Sequence, residues 1–459
     1  MNFTRLLLFG AGQLGMMGLA RFFFSYILDY SSRSHAGPVG QPPPGLPTEA
    51  LFSATAVGAV LLAFRLFDGL TDPIAGVVSD QWVRKGRERR RLLWFSFLVP
   101  SVGLWLCFAG DYDMPQTVRW AFLVAGMLVF FIGYTFYAIP YWSLISDYAV
   151  GDLDVRGRLS NVLGAGLLLA TAVGAVVAPG VIDSLGYTNA ALAFAVPAAL
   201  LMILPYYAKP ASPAAQVVAG SVAAKQGTAH REEPPMMRAL LMSLRHRRFL
   251  AVLILFAGSQ MAFTMVTAAA PFIARDLLGG TLKDVPMILG PFLGTAIPFF
   301  IAVPMISRRW GWEKAVMASS LLLGVVYALA SGLGHGIVGT PLHTAMIVFA
   351  LGGPMAAVLL GLEGEAIVAC ATERPDNGEA TSIYFGVFNL IVKSLNGVAI
   401  FASGALVELS VRPEVGPAAI RWMTLLAGGL LCLGMVGYFL LARNLQPAPK
   451  VQGTVIPPP

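Results

Sequence analysis

Residues 51–80 read LFSATAVGAVLLAFRLFDGLTDPIAGVVSD. An apolar run of about 20 residues has the length of a helix that crosses a bilayer, and this one is interrupted in its interior only by Arg65, Asp68 and Asp72. Each such charge costs about 2.5–3.5 kcal/mol at a bilayer centre on insertion scales, so the three must face protein or water rather than lipid. A membrane helix with a charged inner face is the reading that sets the fold class.

Outward from this stretch the same kind of run recurs. Twelve apolar segments are expected to be helices, at about 4–30, 50–80, 92–110, 117–148, 159–182, 188–208, 248–275, 285–306, 314–334, 341–362, 380–409 and 417–442. Helices satisfy their own backbone polar groups, which lipid cannot do. The composition agrees, with 57% hydrophobic and 12% charged residues and a mean hydropathy of +0.72. The chain is read as an all-α integral membrane protein. Segment 4–30 carries Arg21 and lacks a small-residue cleavage pattern, so it is expected to remain as the first membrane helix.

With both termini in the cytoplasm, the inner segments hold 22 of the 31 Lys and Arg residues, the outer segments 6, and the membrane the other 3, Arg21, Arg65 and Lys393. That asymmetry follows the positive-inside rule and sets the expected orientation. The net charge of +7 therefore calls for no nucleic-acid partner, and the basic run Arg84–Arg91 is topological. Cys107, Cys370 and Cys432 are widely separated and suggest neither a disulfide framework nor a metal site.

The organisation is two six-helix halves, 1–208 and 248–444, joined by a cytoplasmic linker at 209–247 and followed by a tail at 445–459. Residues 236–248, MMRALLMSLRHRR, suit an amphipathic helix at the anionic inner leaflet or an ordinary linker helix. The stretch 31–49, with PPPGLP in it, is expected to be an irregular outer loop. Six plus six helices is the outline of the major facilitator fold. The loop GVVSDQWVRKGRERRR (76–91) resembles the signature of that superfamily between its second and third helices.

Arg65, Asp68 and Asp72 are spaced i, i+3, i+7, which puts them on one helix face over a rise of about 10 Å. One arginine cannot neutralise two aspartates, so the cluster is expected to take a cation or a proton. A buried ion pair completed by Lys393, serving packing alone, is the other reading. Thr71 and Thr135 could add hard oxygen ligands.

RLFDGLTDPIAGVVSD (65–80), GYTFYAIPYWSLISD (133–147) and GEATSIYFGVFNLIVKSLNG (378–397) together resemble the glycoside–pentoside–hexuronide:cation symporters of the major facilitator superfamily. The resemblance implies Asp68, Thr71, Asp72 and Thr135 as the cation site and Trp142 and Lys393 as solute-cavity residues. Met17, Ala138 and Gly166 stand where sugar-carrying members have two carboxylates and an arginine. The cation half of the site is thus recognisable and the sugar half is not. Arg21, four residues after Met17, and Arg65 are assigned to the same cavity. Arg21 either meets an anionic group of the solute or pairs with Asp68 or Asp72.

Asp80 and Arg84 after the second segment, Asp147, Asp154, Arg156 and Arg158 around the turn between the fourth and fifth, and Glu363 and Glu365 with Glu373, Arg374 and Asp376 after the tenth are expected to form gate ion pairs. Gln13, Gln260 and Asn389 are either helix–helix hydrogen bonds or pathway residues.

Enzymes and primary pumps are excluded on motif grounds: no G-x-x-x-x-G-K-[ST], HExxH or G-x-S-x-G occurs. The expectation is a symporter, coupled to Na⁺ or H⁺ and using no other cofactor. It would carry a small organic solute by alternating access, as a monomer in a bacterial inner membrane with lipid as its surroundings. A sugar or sugar acid is the solute that the resemblance implies. An amphipathic or lipid-like anion is the alternative, with a channel or lipid-flipping protein on the same fold beyond it.

Overall fold

The computed structural model describes residues 2–32, 50–149, 153–209, 245–334, 339–372 and 381–443, and every regular element among them is a helix. Most of the linker, the tail, the stretch 33–49, the side chains of Asp154 and Arg156, and Glu373, Arg374 and Asp376 lie outside the described residues. The chain forms two compact units, Met1–Glu233 with Gly280–Pro286, and Pro234–Gly279 with Met287–Pro459.

The first unit contains α1 (Phe3–Ser32), α2 (Ala54–Arg84), α3 (Arg91–Ser96), α4 (Val99–Cys107), α5 (Gln116–Ala149), α6 (Leu153–Ala172) and α7 (Ala178–Ile203). Helix α2 begins where the Ser53 side chain accepts a hydrogen bond from the Ala56 amide at 3.2 Å, an N-cap. Its surface is the inverse of a water-soluble helix. Leu66, Leu70, Ile74 and Val77 are exposed along one stripe, while Asp68, Thr71, Ala75 and Ser79 are buried along another. That arrangement suits a helix whose outer face meets hydrocarbon.

Helix α1 packs against α6 and α7, and α5 against α4 and α2. Close approach of α4 and α5 depends on small residues. A Cβ at Gly126 would stand 2.6 Å from the Cys107 nitrogen, and one at Gly133 2.6 Å from the Pro100 nitrogen. Buried tyrosines brace the unit, because a phenol taken from water needs a partner. Tyr26 donates to the Gly174 carbonyl at 2.8 Å, Tyr137 to Met202 at 2.7 Å and Tyr141 to Phe9 at 2.6 Å.

The second unit contains α8 (Arg247–Phe272), most of α9 (Val285–Phe299), α10 (Val303–Trp310), α11 (Trp312–Ala330), α12 (Pro341–Thr372), α13 (Thr381–Ser410) and α14 (Ala418–Ala442). Helix α14 packs on α8 and α11, and α12 on α11. Glu313 ties three of these helices together, accepting from Tyr438 at 2.8 Å and lying 3.7 Å from buried Arg248.

Among the described residues, nine helices are long and apolar enough to cross a bilayer, or ten if α9 and α10, bent by 61°, make one span. Twelve were expected, and the difference has local causes. The third segment is broken into α3 and α4, and falls short of a full span as Arg91–Cys107. The fifth and sixth form one helical run of 47 residues, Val162–Ala208. Unbroken, such a run would be about 70 Å long, more than twice a hydrocarbon core. Gly186, at φ 73° and ψ 168°, is where two helices meet inside it.

Candidate functional site

Asp68 has no exposed surface. One carboxylate oxygen accepts from the Thr135 hydroxyl of α5 at 2.8 Å, and the other lies 3.4 Å from Arg65 Nη1. The latter distance is longer than the roughly 2.7–2.9 Å of a tight charge-assisted bond. The Arg65 guanidinium is held as much by rings: its Cζ stands 3.9 Å over Phe24 and 5.9 Å from the Phe131 centroid. Its Nε is sealed without a hydrogen-bond partner. Thr71 donates to the backbone carbonyl of Asp68 at 3.0 Å, so its oxygen lone pairs remain available for a ligand. Asp72 follows one turn later on α2 and is partly buried. The fold thus joins Thr135 of α5 and Thr71 of α2 to Asp68, with Asp72 one turn further along α2.

Met17 and Arg21 of α1 border the same region. Tyr134 donates to Met17 Sδ at 3.8 Å, and its phenol is in electrostatic reach of both Arg21 and Arg65. Arg21 is partly buried and backs onto Gly174, where an added Cβ would meet the Arg21 Cβ at 2.9 Å. It forms no hydrogen bond or ion pair with any described residue. Arg21 therefore does not pair with Asp68 or Asp72, one of the two readings that the sequence left open.

Other residues assigned to the cavity have more local surroundings. Trp142 donates to Gln13 at 3.1 Å, so Gln13 is a helix–helix contact between α1 and α5. Ala138 is buried. A Cβ at Gly166 would stand 3.1 Å from the Gln13 side chain and 3.3 Å from the Gly10 carbonyl, which places this position in the contact between α1 and α6. Lys393 is partly buried in α13 of the second unit.

The ion pairs at the basic end of the first unit differ from those expected. Asp80 and Asp147 are both held, but by Arg89 rather than Arg84. The Arg89 fork reaches Asp80 at 3.0 Å, Asp147 at 3.1 Å and the Ser79 hydroxyl at 2.9 Å. Arg84 and Arg158 are exposed, and Arg84 forms no ion pair among the described residues. Beside the fork, Glu88 binds Lys209 and Arg90, each at 2.9 Å. The hydrogen bond from Lys209, followed by that from Arg90, holds the Glu88 carboxyl below its ordinary range. In the second unit, Glu363 accepts from Gln260 at 2.6 Å and Glu365 from Ser307 at 2.7 Å. These two acids meet neutral donors among the described residues, and Arg374, the base expected beside them, lies outside those residues.

Tyr134, the Phe24–Phe131 ring pair and Arg89 escaped the sequence reading. Tyr134 directly precedes Thr135 and so lay next to a marked position. Nothing in the run of bases at 84–91 distinguishes Arg89 from its neighbours before the chain is folded.

Comparisons with known proteins identify the family. A family model described as MFS/sugar transport protein covers residues 48–443. An uncharacterized symporter of Synechocystis is 27% identical over 168 residues, 35% of this chain and 28% of that relative's length. Among solved structures, the nucleoside transporter NupG superposes with a TM-score of 0.64 at 14% identity, over 96% of this chain and 99% of its own. A D-xylose-proton symporter gives 0.65 at 15% identity over 98% of both chains. At such identities the solved structures speak for the fold alone. The chain is an integral membrane protein that belongs to the MFS/sugar transport protein family.

Proposed function

We propose that this protein is a cation-coupled symporter of a small organic solute, of the sugar class that its family description names. The sealed Asp68 carboxylate, which accepts a hydroxyl hydrogen bond from a second helix, carries this reading. Helix α2 carries two aspartates and one arginine on one face, and Thr135, Thr71 and Asp72 supply further oxygens of the kind a small hard cation prefers. Na⁺ or H⁺ binds at these oxygens. Binding of the ion stabilises the solute-loaded state, and access then alternates between the two sides of the membrane. By the positive-inside rule the basic end bearing Arg84–Arg91 faces the cytoplasm.

The test is ion-dependent stability of the purified protein. Thermal unfolding is followed in NaCl against choline chloride at constant ionic strength, together with proton uptake on acidification. An ion at 100 times its Kd stabilises the folded state by about 2.7 kcal/mol. Wild type should respond to Na⁺ or take up a proton, and Asp68→Asn and Asp72→Asn should lose that response. Equal responses in wild type and both variants, or none in wild type, would defeat the assignment.

A further inference from the structure

We infer that Arg21 is the recognition point for the solute and that the solute bears an anionic group, a carboxylate or a phosphate. This deepens the transporter reading and rests on it. Arg21 stands in the interior of α1, 11 residues from its nearer end at Ser32, which is about 16 Å of helix. That is farther than an arginine side chain extends, so the charge is not carried out to a membrane surface by snorkelling. A guanidinium kept at such depth needs a counter-charge.

The described protein supplies none. Asp68 is engaged by Arg65 and Thr135, and no hydrogen bond or ion pair of Arg21 exists with a described residue. Among the described residues its nitrogens are not among the sealed, unpartnered polar atoms, whereas Nε of Arg65 is. Arg21 is partly buried rather than sealed.

Its neighbours fit an anion. A second guanidinium, Arg65, and the Tyr134 phenol both lie within electrostatic reach, and among the described residues the phenol donates to a weak thioether acceptor, Met17 Sδ, at 3.8 Å. Tyr134 can turn to donate to a bound oxyanion, while the Arg21 fork takes two of its oxygens. The small residue Gly174 permits this packing, since any Cβ there would press on the Arg21 stem.

Thermal unfolding of the full-length protein with glucose, glucuronate, glucose 6-phosphate or inorganic phosphate, each in Na⁺ and in choline, tests the assignment. At least one anionic probe should stabilise wild type where glucose does not. Arg21→Gln should weaken that probe about tenfold or more, the effect of losing a charged hydrogen-bond donor. Arg21→Lys keeps the charge without the fork and should fall between. Glucuronate against the two phosphates separates carboxylate from phosphate recognition.

Protection of wild-type Arg21 from phenylglyoxal by the same probe, read by peptide mass analysis, gives a result that needs no variant to fold. The inference is overturned if no anionic probe stabilises wild type, if the probe acts equally on Arg21→Gln, or if it leaves Arg21 unprotected. A missing Na⁺ response with intact anion selectivity counts against the cation site alone, so the two failures are separable.

Discussion

Thr135 and Thr71 both carry a hydroxyl beside Asp68, but their protons go to different acceptors. Thr135 donates to the buried carboxylate, and Thr71 donates to the Asp68 backbone carbonyl. Removing a donor from a buried charged acceptor costs about 1.5–3 kcal/mol. Thr135→Val should therefore destabilise the protein by that amount in thermal unfolding and weaken its ion response. Thr71→Val should cost clearly less stability, because the carbonyl keeps its place in the helix. Equal losses would mean that Thr135 has no special hold on Asp68. The sequence placed Arg65, Asp68 and Asp72 on one face by spacing alone. Thr135, 67 positions from Asp68, was offered as an oxygen ligand by residue type and by resemblance, since no local period relates residues on two helices. Phe24 under the Arg65 guanidinium was invisible for the same reason.

At the scale of elements, the loop from α2 to α3 is clasped to the start of the linker through Glu88, with Arg90 and Lys209 as its partners. The folded-state carboxyl is depressed relative to its unfolded range. Its contribution to stability is therefore complete above the unfolded carboxylate range and disappears as the pH falls through the lower, folded value. Acidification from neutral pH through that window should lower the unfolding temperature of wild type more than that of Glu88→Gln, measured on detergent-solubilised protein. Parallel curves would remove Glu88 from the account. Glu88 is about a third exposed, so the difference should be small and diminished by salt. The sequence showed a basic turn at this place and read it as a topological signal. It did not show that Arg89 binds Asp80 and Asp147, because Asp147 is brought near only by the packing of α5 along α2.

For the whole molecule, orientation is the property with the plainest test. Lys85 and Glu414 are exposed and stand at loops assigned to opposite sides, while Cys107 and Cys370 are buried and Cys432 partly so. In sealed cells, an impermeant maleimide should label Glu414→Cys, and it should reach Lys85→Cys only in inverted vesicles. The reverse pattern would invert the topology.

Composition and apolar run length alone determined that the chain is a helical membrane protein, because a bilayer demands long apolar helices whatever their neighbours. Helical spacing alone likewise determined that the charges of α2 share a face. Tertiary structure decided the rest. It broke the third segment, joined the fifth to the sixth through Gly186, gave Asp68 to Thr135 and Arg65, and left Arg21 without an acid among the described residues. Those outcomes depend on which helices touch, and side-chain pairing between helices leaves no period in the sequence that either helix carries.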